Sequence, residues 1–141
     1  MRHQKRTVKL NRNSSHRRGL VANMLKALVE HGRIETTVPK AKALRRHADR
    51  LITLAKKNTL ASRREAISKM MIRYNALTSK ETRAAKKGDT SSYNTDRQVI
   101  GKLFNELSSR YSTREGGYTR IIRTENRQGD SSPLCILEYV Q

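Results

Sequence analysis

Leu20-Val21-Ala22-Asn23-Met24-Leu25-Lys26-Ala27-Leu28-Val29-Glu30-His31-Gly32-Arg33-Ile34-Glu35-Thr36-Thr37-Val38-Pro39 changes its period halfway along. Leu20, Val21, Met24, Leu25, Leu28 and Val29 recur at helical spacing and make one apolar stripe, so a helix is expected over about 16–31. Ser14 or Ser15 can cap its start, and Gly32 suits its end. Arg33–Val38 then alternates and is β-branched, which reads as a short strand. Pro39 opens a second helix with Thr37 as a plausible cap. This strand is expected to join two later strands in one sheet, giving an α+β layer architecture.

Working outward, the second helix runs to about Lys57. Leu44, Ala48, Leu51, Ile52 and Ala55 line its buried side. A third helix is expected over about 60–77, with Ser62 and Glu65 at capping-box spacing. Its stripe is Ala66, Ile67, Met70, Met71, Tyr74 and Leu77. Residues 78–95 are polar and lack sustained apolar periodicity, so they read as an exposed inserted loop. A fourth helix starts near Thr95 or Asp96 and ends near Ser109–Arg110, with Val99, Ile100, Leu103, Phe104 and Leu107 on its apolar face. Tyr118–Thr124 and Leu134–Val140 alternate on either side of a Gln128-Gly129-Asp130 turn and should pair as an antiparallel hairpin. The expected fold is thus α+β: about four helices on a small mixed three-stranded sheet, with a basic N-terminal extension. A basic arm over 1–19 precedes a single domain over 20–141.

The chain has 141 residues, with 31 Lys+Arg against 12 Asp+Glu and a formal net charge of +19. Such a charge strains an isolated compact state by self-repulsion. A polyanion relieves it, and nucleic acid adds the release of condensed counterions. A membrane surface would call for aromatic anchors on a basic amphipathic helix, and the chain has no Trp and one Phe. No apolar run approaches the ~18 residues that span a bilayer. No apolar segment follows the basic N-terminus, so it does not read as a signal peptide. The one cysteine, Cys135, has no internal disulfide partner. Together these features point to the cytosol.

The charge is graded along the chain. Residues 1–50 hold 14 basic and 3 acidic residues, whereas 98–141 hold 6 and 5. The nucleic-acid face is therefore expected in the first two thirds. Within the arm, Arg2, His3, Lys5, Arg6, Lys9, Asn11, Arg12, Asn13, Ser14, Ser15, His16, Arg17 and Arg18 mix guanidinium, amide, hydroxyl and imidazole groups. That mixture suits irregular contacts to phosphates, sugars and base edges. Arg17 and Arg18 fall in the first turn of a helix, where the dipole disfavours cations and free N–H groups await an anion. A phosphate would satisfy both. In the second helix, Lys40, Lys42, Arg45, Arg46 and Arg50 lie mostly off the apolar side, and Asp49 is the sole acid available to pair with them. Lys80, Arg83, Lys86 and Lys87 of the inserted loop are either further contacts or a solvated surface.

The residues show no catalytic constellation. His3, His16, His31 and His47 have no metal spacing, no CxxC occurs, and neither GxxxxGK[ST] nor GxGxxG is present. No catalytic residue, metal ligand, cofactor or small-molecule substrate is expected. Two rivals stay open at this level. One is a DNA-binding nucleoid-type protein, against which the long irregular arm argues. The other is a small RNA-modifying or RNA-cleaving enzyme using His16 or His47 as base, which would need a partner acid within reach.

Collinear blocks narrow the reading. These are Met1-Arg2-His3, Leu10-Asn11-Arg12-Asn13-Ser14-Ser15-His16-Arg17, Thr36-Thr37-Val38-Pro39-Lys40-Ala41-Lys42, Leu51-Ile52-Thr53-Leu54-Ala55-Lys56, Lys102-Leu103-Phe104-Asn105-Glu106-Leu107 and Gly116-Gly117-Tyr118-Thr119-Arg120-Ile121. In this order they resemble the bacterial ribosomal protein family numbered seventeen in the large-subunit series. The resemblance covers about 1–77 and 97–141. It implies a non-enzymatic structural constituent of the large ribosomal subunit that needs no cofactor. The implied partners are large-subunit ribosomal RNA and neighbouring ribosomal proteins, on the peptide-exit side. It also implies RNA contacts on Asn11–Arg18, on Lys40 and Lys42, and on Gly117, Tyr118 and Arg120. The chain departs from the family pattern at about 78–96, which looks like an insertion, and it lacks a charged C-terminal tail.

Overall fold

A computed structural model describes residues 8–140 of the chain. The elements in chain order are α1 (Ser14–His31), β1 (Arg33–Thr37), α2 (Val38–Lys57), α3 (Leu60–Met70), α4 (Ser79–Lys86), α5 (Thr95–Gly101), β2 (Thr119–Asn126) and β3 (Pro133–Tyr139). Helix α5 runs on through a π-helical stretch, Lys102–Leu107, and closes as α-helix over Ser108–Arg110. Five helices are therefore described where about four were expected.

Helix α1 ends where Gly32 turns to φ 77°, ψ −22°, and the Gly32 N–H donates to the Leu28 carbonyl. Its start is capped by Asn13, not by Ser14 or Ser15: the Asn13 amide oxygen accepts from the His16 N–H at 2.8 Å. Asn is as good a cap as Ser, and here it lies one residue earlier. Helix α2 covers the expected span. Leu44, Ala48, Leu51, Ile52 and Ala55 are all 0–1% exposed. Burying Leu51 or Ile52 contributes about 1.5–3 kcal/mol each. Ala41, Ala48 and Ala55 recur every seventh residue and are fully buried, so a larger side chain on that line would have to displace a packed neighbour.

Helix α3 is shorter than its periodicity suggests. Its capping box is Thr59 with Ser62, not Ser62 with Glu65. The Ser62 N–H donates to Thr59 Oγ1 (3.1 Å) and the Thr59 N–H to Ser62 Oγ (3.0 Å). The helix stops at Met70, because Met71 takes left-handed φ 50°, ψ 44°. Beyond it the backbone finds tertiary partners instead of helical ones. The Arg73 N–H donates to Asp96 Oδ2 (2.6 Å), and Asn94 Nδ2 donates to the Arg73 carbonyl (2.7 Å). Ala66 and Met70 are buried as expected, whereas Met71 and Tyr74 are exposed.

The 78–95 segment contains α4, an eight-residue helix. Thr78 and Glu81 form its capping box, with Glu81 Oε2 accepting from the Thr78 N–H at 2.7 Å. That Thr-x-x-Glu signal stands in the sequence, but α4 buries no residue, so no apolar stripe accompanies it.

The sheet has order β1-β3-β2. It is antiparallel throughout rather than mixed: β3 enters between β1 and β2, and both run opposite to it. Ile34 pairs with Leu137, and Leu137 pairs with Ile121. Cys135, Leu137 and Tyr139 of β3 point into the core, which they share with α1, α2, α3 and α5. Tyr111, Tyr118 and Tyr139 cluster at one end, with Tyr111 ring centres 5.3 Å from Tyr118 and 6.4 Å from Tyr139. The Tyr139 hydroxyl is buried without a hydrogen-bond partner among the described residues, and that burial pushes its pKa up. Among the described residues no helix is long and apolar enough to cross a membrane.

Candidate nucleic-acid interface

Residues 8–13 turn back on themselves before α1 begins. Leu10 and Asn11 both take left-handed backbone (φ 54° and 50°), and the Arg12 N–H reaches the Lys9 carbonyl. Asn tolerates this region and Leu does not favour it. The strain is matched by apolar anchoring: Val8 and Leu10 line a cleft together with Val21 and Leu25 of α1. Two guanidinium groups brace the turn. Arg17 Nη1 donates to the Arg12 carbonyl (3.1 Å), and Arg12 Nη1 donates to the His16 ring, 2.9 Å from Nε2.

The same cleft, about 760 Å³ in volume, is lined on its polar side by Arg17 and Arg18 of α1, by Lys42, Arg46 and His47 of α2, and by Lys69 of α3. Among the described residues no carboxylate lines it. Lys42 and Arg46 are one helical turn apart, a like-charge spacing that costs a few tenths of a kcal/mol in water. They also border a second groove between α2 and β2, with Arg45, Asp49, Ile121 and Arg123. Lys42 and Arg46 thus form a cationic ridge between two depressions. Among the described residues Asp49 makes no ion pair with it within 4.0 Å; its Oδ1 accepts from the Thr119 hydroxyl (2.9 Å). Among the described residues Lys40, Lys42, Arg45, Arg46, Arg17 and Arg18 have no acidic partner within 4.0 Å.

His47 registers this field. Burial first, then the charges of Lys69, Arg46 and Arg50, hold its pKa below the usual imidazole value. The ring therefore stays neutral in the free protein at neutral pH. An anion in the cleft would reverse the charge part of that shift.

Lys9, Asn11, Arg12, Asn13, Ser14, Ser15, His16, Arg17 and Arg18 are carried by the turn and the start of α1, and Lys40, Lys42, Arg45 and Arg46 by α2. Of these, Arg17, Arg18, Ser14, Lys42 and Arg46 are brought together in the cleft. Arg50 is engaged with Glu65 (3.0 Å) and Arg120 with Glu138 (2.7 Å). The Tyr118 ring is 2% exposed, with its hydroxyl donating to the Arg114 carbonyl, so it packs in the core and is closed to base stacking. Gly117 is exposed beside it with φ 62°. Arg2, His3, Lys5 and Arg6 lie outside the described residues. Sequence reasoning passed over Lys69 and His47 as members of one cationic cleft. Lys69 sits in the third helix, and its place in the cleft depends on how α3 packs beside α1 and α2.

No group of three or more His, Cys, Asp or Glu poised for a metal is found among the described residues. Cys135 is buried, its thiol raised in pKa by burial.

The chain matches the family model described as ribosomal protein L17 over residues 20–140. It is 64% identical over 140 residues to the large ribosomal subunit protein bL17 of Protochlamydia amoebophila, covering 99% of each chain. It is 59% identical to the protein of that name from Chlamydia trachomatis (serovar L2) and 57% to that from Chlamydia muridarum, again over 99% of each chain. The match covers nearly the whole of each chain, the 78–96 segment of this one included. With so long a match and such identity, the chain belongs to the ribosomal protein L17 family.

Proposed function

We propose that the chain is a structural, non-catalytic constituent of the large ribosomal subunit in the bacterial cytoplasm. It holds large-subunit ribosomal RNA in the cationic cleft between the 8–13 turn, α1, α2 and α3, beside neighbouring ribosomal proteins. The supporting observation is the convergence on one cleft of Arg17, Arg18, Lys42 and Arg46, which have no acidic partner among the described residues, with Lys69, which pairs with Glu65 at 3.4 Å. A folded protein concentrates cations this way at a cost in self-repulsion, which phosphates and counterion release offset. The cleft is irregular and offers few planar base-reading groups, so RNA shape would dominate recognition. Family membership favours RNA over the DNA-binding alternative. The 1–19 arm and the domain from residue 20 act together here, because the arm's Val8 and Leu10 form one wall.

Sedimentation of a lysate on a sucrose gradient tests the assignment. The protein is expected with the large subunit; recovery at the top of the gradient or with chromosomal DNA would refute it. Replacing Arg17, Lys42 and Arg46 by Ala is expected to lower the slope of log affinity for RNA against log salt by roughly two. An unaltered slope would remove the cleft from the RNA interface.

A further inference from the structure

The 72–97 excursion is held in place by polar clamps rather than by a core. Asn75 Nδ2 donates to the Ser92 carbonyl (2.8 Å), and Asn75 Oδ1 accepts from Arg97 Nε (3.0 Å). Arg97 Nη2 donates to the Asn75 carbonyl (3.0 Å). So fixed, the Arg97 guanidinium lies over two tyrosine rings, its carbon 4.7 Å from the Tyr74 centre and 5.3 Å from the Tyr93 centre. Tyr74 is 46% exposed. Tyr93 and Arg97 form one wall of a groove of about 400 Å³, and Thr82, Ala85 and Lys86 of α4 are on its other side.

We propose that this groove is a second RNA-binding surface, separate from the α1–α2 cleft, in which an unpaired nucleotide stacks on the Tyr93–Arg97 wall while α4 holds the adjoining phosphates. It shares with the proposed function only the premise that RNA is the partner. Charge complementarity selects RNA as the occupant. Lys80, Arg83, Lys86 and Lys87 are exposed on or beside α4, and none has an acidic partner among the described residues. The nearby acids are Glu81, which accepts from the Thr78 N–H at the α4 cap, and Asp89, which accepts from the Ser91 N–H, and the four cations outnumber them. Rigid aromatic and guanidinium planes beside such a cationic rim are the elements of single-strand recognition, where every base offers a π-face. No residue of α4 is buried, so the side chains of this helix are turned to the surface.

The test uses the full chain and a single-stranded oligouridylate of about twelve nucleotides. Tyr93→Leu is expected to weaken binding about tenfold without changing the salt slope. Replacing Lys80, Arg83, Lys86 and Lys87 by Ala is expected to lower that slope by up to about three. Arg17, Lys42 and Arg46 changed to Ala serve as the cleft control. Weakening by the cleft variant alone would overturn the groove and leave the cleft standing; weakening by the groove variants alone would do the reverse. Because Tyr93→Leu could loosen the excursion, the unaltered protein is also photocrosslinked to a thiouridine-containing oligomer. Crosslinks within 74–97 are expected. Crosslinks confined to 8–69, or capture of a neighbouring protein by the groove in assembled subunits in place of RNA, would overturn it.

Discussion

Asp96 at the start of α5 joins Lys26 of α1, with Lys26 Nζ 2.8 Å from Oδ1, and the same carboxylate accepts the Arg73 N–H at 2.6 Å. One side chain therefore ties together α1, the chain leaving α3, and α5. Past the left-handed Met71 that ends α3, the Arg73 amide is taken by Asp96.

Asp96→Asn is expected to destabilise the fold by about 2 kcal/mol, since hydrogen bonds to a charged group are worth more than neutral ones. Burial pushes the Asp96 carboxyl up, but bonds from Lys26 and the Arg73 N–H, with their charges, leave it below the usual carboxylate value. The unfolded chain thus binds a proton first as pH falls. The contribution is complete above the ordinary Asp value of about 3.9 and is lost as pH drops through the lowered folded value. Urea unfolding across that range should show a shallower acid loss in Asp96→Asn than in the unaltered protein. Identical pH profiles would sink the idea.

Gly32 has open space where a Cβ would stand, so any cost of substitution there comes from its φ of 77° alone. Gly32→Ala is expected to cost about 1 kcal/mol, and Gly32→Asn less, because Asn accepts the left-handed region better. Equal midpoints for the two variants in thermal unfolding would contradict this account.

Thr59→Ala removes the acceptor for the Ser62 N–H, and about 1 kcal/mol should be lost. Glu65→Ala should cost less than this, since its pairs with Arg50 and Lys69 are on partly exposed side chains and such pairs contribute little. The opposite ranking would restore the box to Ser62 and Glu65.

What could be read from sequence followed the strength of local signals. The α2 stripe from Leu44 to Ala55 has an uninterrupted helical period, and all of it is buried. Gly32 and Thr37–Pro39 mark boundaries by backbone chemistry that acts within a few residues. The stripe through Met71, Tyr74 and Leu77 misled because periodicity does not register a tertiary acceptor such as Asp96, more than twenty residues away. The sheet's antiparallel order depends on β3 entering between β1 and β2, a long-range pairing with no local mark. The site shows the same division. Arg17, Arg18, Lys42 and Arg46 were legible as unpaired cations. Lys69 reaches the cleft only through packing, and Arg50, Lys69 and Arg120 are not free cations, because Glu65 pairs with the first two and Glu138 with the third. Tyr118, placed on the RNA face by resemblance, packs its ring into the core.

His47 should report occupation of the cleft. It faces Arg46 and Arg50 on its own helix and Lys69 on α3, and shares the cleft with Arg17 and Arg18 of α1 and Lys42 of α2. Its folded pKa lies below the ordinary value, so between the two values the unfolded chain binds more protons. Stability from this group is therefore full above about 6.5 and declines as pH falls towards the folded value. RNA binding carries the opposite sign. Phosphates in the cleft favour the imidazolium, so forming the complex takes up a proton and affinity rises as pH falls from about 7.5 to about 5.5. Titration of the His47 ring resonances by NMR, free and bound to RNA, should show the pKa moving up on binding. His47→Gln should flatten the pH dependence of affinity while leaving affinity at about pH 7.5 nearly unchanged, because the ring is neutral there in the free protein. Among the described residues His16, beside Arg12 in the turn, is the other imidazole near the interface. If His16→Gln flattens the profile and His47→Gln does not, the proton is taken up at the turn and the cleft stays electrostatically empty.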